Sequence, residues 1–531
     1  MRLVVISSLV LGCVAIAAQA CSLQKWDPVN DGTSGSSGAS QNGGGAGEEH
    51  STGGRTGEGG TSGKGGTGGS SNTSGTGGTT GVGGSNAGEL GGSSNPGSTT
   101  GVGEPMITSV KVDYNKVCAG DTATITAVFS NGTGTIDNGV GAVESGVAKA
   151  TTAISADTTF TLTVTNSAGA KVTAPVVVQA FPRGSFTATG SMKYSRTWHS
   201  ATTLADGRVL VVGGSTYSAG AFDVAEIYDL ALGRFIEGKS PNVSRVGHTA
   251  TLLPNGKVLL AGVSGNGNDT RAELYDPVAD SFIMTSGPLN QGRAEGTATL
   301  LLNGLVLLAG GRYDIDPARK TLELFNAAAG ANGTFALLYP TMAQPRVYQT
   351  ATLLRNGKVL IAGGCTDTAD DPCLVTNSAD LYDPTTGGSG SIVATGPLVA
   401  GRANHRAALL GSGQVLIVGG TDSSGAHVIS PELYDPSIGT NGTFSTLGAT
   451  MMTRSPHAVA ALRTGEVLIA GGKTASGAKM STAEIYNPAT GKFSPTAPLN
   501  SPDLLVLMAS LPNGMVLLVG GETTRAELYC P

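Results

Sequence analysis

Four kinds of side chain in this 531-residue chain have types and spacings suited to chemistry. The first are polar residues in segments of unequal length: Tyr217, Asp223, Asn266, Asp269, Arg312, Tyr313, Asp314, Asp367, Asp370, Asp371, Asp422, His427 and Lys473. Such groups can hydrogen-bond a ligand, and two converging carboxylates could act as general acid and base. No pair is forced by its spacing to converge, so each is read first as a solvated loop residue. The acidic run 367–371 offers oxygen ligands for calcium but lacks the spaced Asp-x-Asp-x-Asp-Gly pattern of a calcium loop.

The second kind is periodic. Arg196, Arg245, Arg293, Arg346, Arg402 and Arg454 hold one repeat position, and Glu226, Glu273, Glu323, Asp380, Glu432, Glu484 and Glu527 hold another. Matched charges in each copy suggest a guanidinium–carboxylate pair at a fixed place, with bidentate geometry available. A feature present in every copy serves the fold rather than one ligand. Asp503 stands where a seventh arginine would, so Glu527 needs another partner, and Arg525 is near in sequence. The third kind, His199, His248, His405 and His457, also shares one position. Metal ligands must converge within a few ångströms, whereas equivalent positions spread around a ring, so no metal is expected. No serine-nucleophile motif or phosphate loop is evident, and no cofactor is expected.

Cysteines are the fourth kind. Cys365 and Cys373 lie in one loop, CTDTADDPC, and are expected to pair after export. Cys118 and Cys530 remain; a bridge between them would lock two domains together, and two separate thiols are the alternative. Export is read from residues 1–20, where Arg2 precedes an apolar run that ends in Ala18-Gln19-Ala20, a secretory signal. Cys21 follows directly. This resembles a bacterial lipoprotein signal, which implies lipidation at Cys21 and membrane attachment through that lipid; a plain secreted chain with a free N-terminal thiol is the alternative. No other stretch is long and apolar enough to span a bilayer.

The elements that must position these groups form a repeat. A two-residue turn recurs at Asp206-Gly207, Asn255-Gly256, Asn303-Gly304, Asn356-Gly357, Ser412-Gly413, Thr464-Gly465 and Asn513-Gly514. An apolar strand follows each turn: VLVVGG, VLLAGV, VLLAGG, VLIAGG, VLIVGG, VLIAGG, VLLVGG. The turn glycine lies 6 residues before the first strand-end glycine in all seven copies, and the arginine 17 before it in the six that have one. A third strand carries an aromatic residue, as in AEIYD or AELYC. Asn-Gly-like turns between such strands are a strong hairpin signal. Strands apolar at every position must be buried on both faces, because a strand buried on one face alternates.

This unit of about 50 residues resembles the kelch motif over roughly 350 residues. The resemblance implies a seven-bladed β-propeller at 184–531, each sheet sandwiched between two neighbours. Six copies carry a fourth strand after the aromatic element; the seventh does not, and 185–188 are expected to supply it, leaving no open edge. The segments between the glycine pair and the aromatic vary in length, 9 to 19 residues, and share a face with the Arg-x-x-His ends of the first strands. Variable loops on a rigid scaffold are where binding usually sits.

Ahead of the propeller, 105–181 hold alternating β-branched strands with turn signals, a small β-sandwich whose TTFTLTVTNSAG hairpin resembles a bacterial immunoglobulin-like module. Residues 21–104 comprise the anchor cysteine and a Gly/Ser/Thr-rich tether with almost no apolar side chains, a composition that stays disordered and reaches roughly 50 Å. Net charge is −6, which gives no basic field for nucleic acid. The layout also resembles galactose oxidase, whose copper takes two tyrosines and two histidines, with one tyrosine cross-linked to a cysteine. This chain has no Tyr-His dipeptide, its paired propeller cysteines are committed to each other, and no domain follows blade seven, so the resemblance does not extend to copper-radical chemistry.

The sequence therefore reads as an all-β, exported, lipid-anchored monomer whose propeller binds a protein or glycan through variable loops, without catalysis. The alternatives are an extracellular carbohydrate-active enzyme and a structural envelope protein. An enzyme would place two carboxylates within about 10 Å on the loop face. A binder would show a shallow, aromatic-lined patch, and a structural protein neither.

Overall fold

The structure, a computed structural model, describes residues 103–531 apart from 217–221, 263–268, 313–318, 368–372, 449–453, 456 and 503–505. Cys21, the leader and nearly all of the tether lie outside the described residues. So do Tyr217, Asn266, Tyr313, Asp314, Asp370, Asp371 and Asp503; of Asp367 only the backbone is described.

Every regular element among the described residues is a β-strand. From Ser185 onward they form seven four-stranded antiparallel sheets. In the first blade the strands are Ser200–Thr203, Val209–Val212, Ala225–Asp229 and Arg234–Glu237, paired in that order from the innermost outward. Each innermost strand touches that of the next blade, and Val506–Ser510 of the seventh touches Ser200–Thr203 of the first, so the ring is closed. Closure uses a strand from the start of the propeller: Ser185–Ala188 pairs with Ala526–Cys530 as the outer strand of blade seven.

The register explains the aromatic positions. Tyr228, Tyr275, Phe325, Tyr434 and Tyr486 on third strands face Phe235, Phe282, Phe335, Phe444 and Phe493 on fourth strands, with ring centroids 4.8 to 5.1 Å apart. These tilted pairs have the favourable geometry for aromatic contact. In blade seven Phe186 of the clasp meets Tyr529 at 4.7 Å, so this strand supplies both the hydrogen bonds and the stacking residue that blade seven otherwise lacks.

The core consists of apolar layers between blades. In the VLVV strand of blade one, Val209 and Val211 pack toward blade seven, while Leu210 and Val212 pack on Ala250, Val258 and Leu260 of blade two. Alternate side chains thus enter different layers, and all four are buried. The strand-end glycines fit the same packing. Gly213 and Gly214 have φ of 65° and 92°, and a β-carbon on Gly213 would lie 2.5 Å from the Arg245 carbonyl of the next blade. The crowding that demands glycine is therefore against the neighbouring blade.

Residues 106–181 form a three-stranded and a five-stranded sheet around one core that includes Ile125, Phe160, Leu162 and Val164. This sandwich joins the propeller in a single compact unit. Cys118 is disulfide-bonded to Cys530, with Cα atoms 5.5 Å apart. Arg183 donates to the Ala119 carbonyl at 2.9 Å and the Pro531 carbonyl at 2.6 Å, and Asp121 takes ion pairs from Arg183 and from Arg463 of blade six, each at 2.5 Å. Asn513 donates to the Lys116 carbonyl and Asn115 to the Ala231 carbonyl. These propeller residues belong to the short strand-to-strand turns and chain ends of blades six, seven and one. The sandwich therefore rests on the turn face and leaves the opposite, variable-loop face clear.

Candidate binding face

Most of the periodic charge is consumed by the fold. Five arginine–acid pairs close at 2.5 to 2.8 Å, and Arg454–Glu484 at 3.2 Å. All twelve residues are buried. The geometry is not generally bidentate: Nη2 meets the carboxylate, while Nη1 donates to the carbonyl of the first strand-end glycine, as Arg293 does to Gly310 at 2.8 Å. A second carbonyl just before the third strand takes Nη1 as well, Thr321 for Arg293. Each arginine thus ties three strands of its blade. Burial holds every one of these guanidiniums below its ordinary pKa, with the facing carboxylate opposing that shift.

Glu527 is satisfied differently from the sequence expectation. It accepts from the backbone and side-chain amide of Asn500, at 3.1 and 2.8 Å, whereas Arg525 is exposed. Asn242 and Asn290 hold Glu273 and Glu323 in the same way. An asparagine behind the acid was the available signal.

The four repeat histidines stand at blade boundaries. Nε2 of His248 is 2.8 Å from Ser200 Oγ, and Nε2 of His405 is 2.9 Å from Thr350 Oγ1, each in the preceding blade. In blade four Gln349 takes this place and donates to the Ala309 carbonyl of blade three at 2.8 Å. Burial first, then the nearby arginines, lowers the histidine pKa values, His199 to about 3.

Sequence reasoning missed the residue immediately before each of these positions. Trp198, Glu295, Tyr348 and Asn404 have φ between 57° and 63°, a conformation that costs a non-glycine residue of order 1 kcal/mol or more; Gly247 adopts it at 65°. Their backbones form a collar around the inner end of the ring. Gly247 N donates to Trp198 O, Glu295 N to Gly247 O, Tyr348 N to Glu295 O and Asn404 N to Tyr348 O, at 2.8 to 3.2 Å. The four side chains are buried, and Trp198 of blade one shares one apolar cluster with Tyr348, Val347 and Cys365 of blade four. The protein's own side chains thus occupy the axial mouth on the loop face. Arg312, a loop candidate, belongs here: it pairs with Glu295 at 2.6 Å and donates to the Tyr348 hydroxyl at 3.2 Å. The missed signal was the variability of this one position inside an otherwise regular Arg-x-x-His motif.

The remaining described candidates fall in separate places. Asp269 is held by Arg271, two residues along its own loop. Asp223 is exposed. His427 is half-buried, and burial together with Lys473 lowers its pKa. Asp422 Oδ1 accepts from Ser424 N, Ser424 Oγ and Ala426 N at 2.6 to 3.0 Å, and these donors hold its carboxyl below the ordinary range. Asp422 also lines an open cleft of about 500 Å³ between the loops of blades four and five. The cleft is shallow, as expected of a binder, but its described lining is amide, hydroxyl and aliphatic rather than aromatic. One wall is a two-stranded ribbon, Cys365–Asp367 with Leu374–Val375, cross-linked by the Cys365–Cys373 disulfide.

The donor set does not fit copper. Among the described residues no group of three or more His, Cys, Asp or Glu side chains converges. The histidines face neighbouring blades, Cys365 is in a disulfide, and burial followed by Glu295 keeps the Tyr348 hydroxyl well above its ordinary pKa and so protonated. No step through a metal is derived.

No family model and no curated protein matches the chain. Among solved structures it is similar to a novel fungal alcohol oxidase with catalytic diversity among the AA5 family, in complex with copper. That match has 14% identity and a TM-score of 0.51, covering 65% of this chain and 76% of the oxidase. It is also similar to YjhT, at 14% identity and a TM-score of 0.44, over 57% of this chain and 98% of that one. The first likeness establishes the fold alone: the chain is built on a galactose-oxidase-like β-propeller scaffold.

Proposed function

We propose that this is an exported, lipid-anchored surface protein whose propeller is a non-catalytic binding module for a protein or glycan. The observation that carries the reading is the division between the two propeller faces. The sandwich, which continues from the tether, rests on the turn face at blades six, seven and one. The opposite face holds the variable loops and the open cleft. A tethered molecule built this way presents its loops outward.

The absence of catalysis is argued from proton chemistry. The carboxyl in the cleft, Asp422, is stabilised as the anion by its own loop. A general acid needs the opposite shift. Tyr348 is held as the neutral phenol. The test is a glycan array and an envelope pull-down with the full chain. A retained ligand that is recovered unchanged supports the reading. A ligand that is turned over points to the enzyme alternative, and no ligand in either screen to the structural one. Lipidation is tested separately: labelled fatty acid should enter the expressed chain and be lost in Cys21→Ala.

A further inference from the structure

We propose that the cleft between blades four and five is the seat of a neutral carbohydrate of one or two rings. This rests on reading the loop face as the binding face, and it names the site and ligand class within it. The cleft volume of about 500 Å³ falls within the range of small-molecule sites, roughly 300–1,000 Å³.

The lining decides the chemistry. Gln344 and Asn377 are exposed, and among the described residues their side-chain amides have no protein partner. Each offers an acceptor and two donors, the pattern that matches adjacent sugar hydroxyls. Thr366 adds a hydroxyl, and Leu374, 61% exposed, with Val375 adds an aliphatic strip for the C–H face of a ring. No Lys or Arg lines the cleft among the described residues, so a phosphate, sulfate or carboxylate would lose its water without gaining a counter-charge. Asp422 is the one carboxylate in that lining; with Oδ1 taken up by its own loop, Oδ2 remains as an acceptor for a hydroxyl.

The wall is also fixed in place. The Cys365–Cys373 bridge closes the ribbon. Val347 pairs with Cys365, Thr376 N donates to Gly364 O, and Val375 N donates to Ser423 Oγ of blade five at 3.0 Å. A wall held on both sides loses little freedom when a ligand binds. Blade four has the longest glycine-to-aromatic segment of the seven, 19 residues, so the added length is what builds the ribbon.

The test is calorimetric titration of the full chain with glucose, galactose, mannose and N-acetylglucosamine and their disaccharides, with sialyllactose and a sulfated sugar as anionic controls. At least one neutral sugar should bind. Gln344→Ala combined with Asn377→Ala should weaken it tenfold or more without moving the melting temperature, and Asp223→Ala should leave it unchanged. Undiminished affinity in the double variant overturns the cleft assignment while the loop-face reading stands. Binding of the anionic sugars alone overturns the ligand class. Failure to bind any sugar, or any protein from envelope extracts, overturns both the cleft and the reading beneath it.

Discussion

Nε2 of His405 in blade five lies 2.9 Å from Oγ1 of Thr350 on the innermost strand of blade four. The imidazole is buried and its pKa lies well below the ordinary value, through burial and then through Arg402. His199, His248 and His457 are depressed in the same sense. The folded state therefore keeps these rings neutral where the unfolded chain would protonate them.

The sign of the pH dependence follows. Above the unfolded histidine value of about 6.5 the stability is fully present. As pH falls below that value the unfolded state binds protons that the fold refuses, and stability drops by about 1.4 kcal/mol per pH unit for each such histidine. Thermal melts between pH 7 and 4 should show a steep loss. Gln349 fills the equivalent place in blade four, so His405→Gln should fold and reduce the slope. An unchanged slope would show that acid acts elsewhere.

The arginine–acid pairs predict a large single-site effect with a reversible partner. Arg402 and Glu432 are buried and 2.5 Å apart. Arg402→Met leaves a buried carboxylate without its counter-charge and should cost about 3–5 kcal/mol in urea denaturation. Adding Glu432→Met should recover much of that loss.

The disulfides should differ in accessibility. Cys118 and Cys530 are both buried, whereas Cys373 is partly exposed. Under mild reductant without denaturant, mass spectrometry should find alkylation at Cys373 well before Cys530. Replacing Cys118 and Cys530 together by serine should cost about 3–5 kcal/mol, because the bridge closes a very long loop.

Much of the fold was legible because it repeats. Seven copies in register exposed the blades, the turns and the origin of the outer strand of blade seven, since a ring that lacks one strand at one end must find it at the other. The charge pairs were legible for the same reason. The site was not. A repeat makes uniform positions visible and unique ones invisible, so Trp198, Glu295, Tyr348 and Asn404 passed as variable filler although they meet over the axis. Gln344 and Asn377 come from different connections, and only the ring brings them to one cleft. The asparagine at position 500 was overlooked as a partner for Glu527 because charge was sought where a neutral amide serves.

The clasp carries its own test. Phe186 packs on Tyr529 and its strand closes blade seven. Phe186→Ala should cost about 3 kcal/mol. Deleting residues 184–192 should lower the melting temperature far more than trimming the same length from the tether; equal temperatures would reject the clasp.

The most direct test of the central claim is hydrogen exchange of the full chain with and without the sugar that binds it. Slowed exchange is expected in 364–367, 374–377 and 421–428 on the loop face, with the turns at 204–208 and 462–466 unchanged. Protection confined to those turns, or to the sandwich at 106–181, would contradict the account.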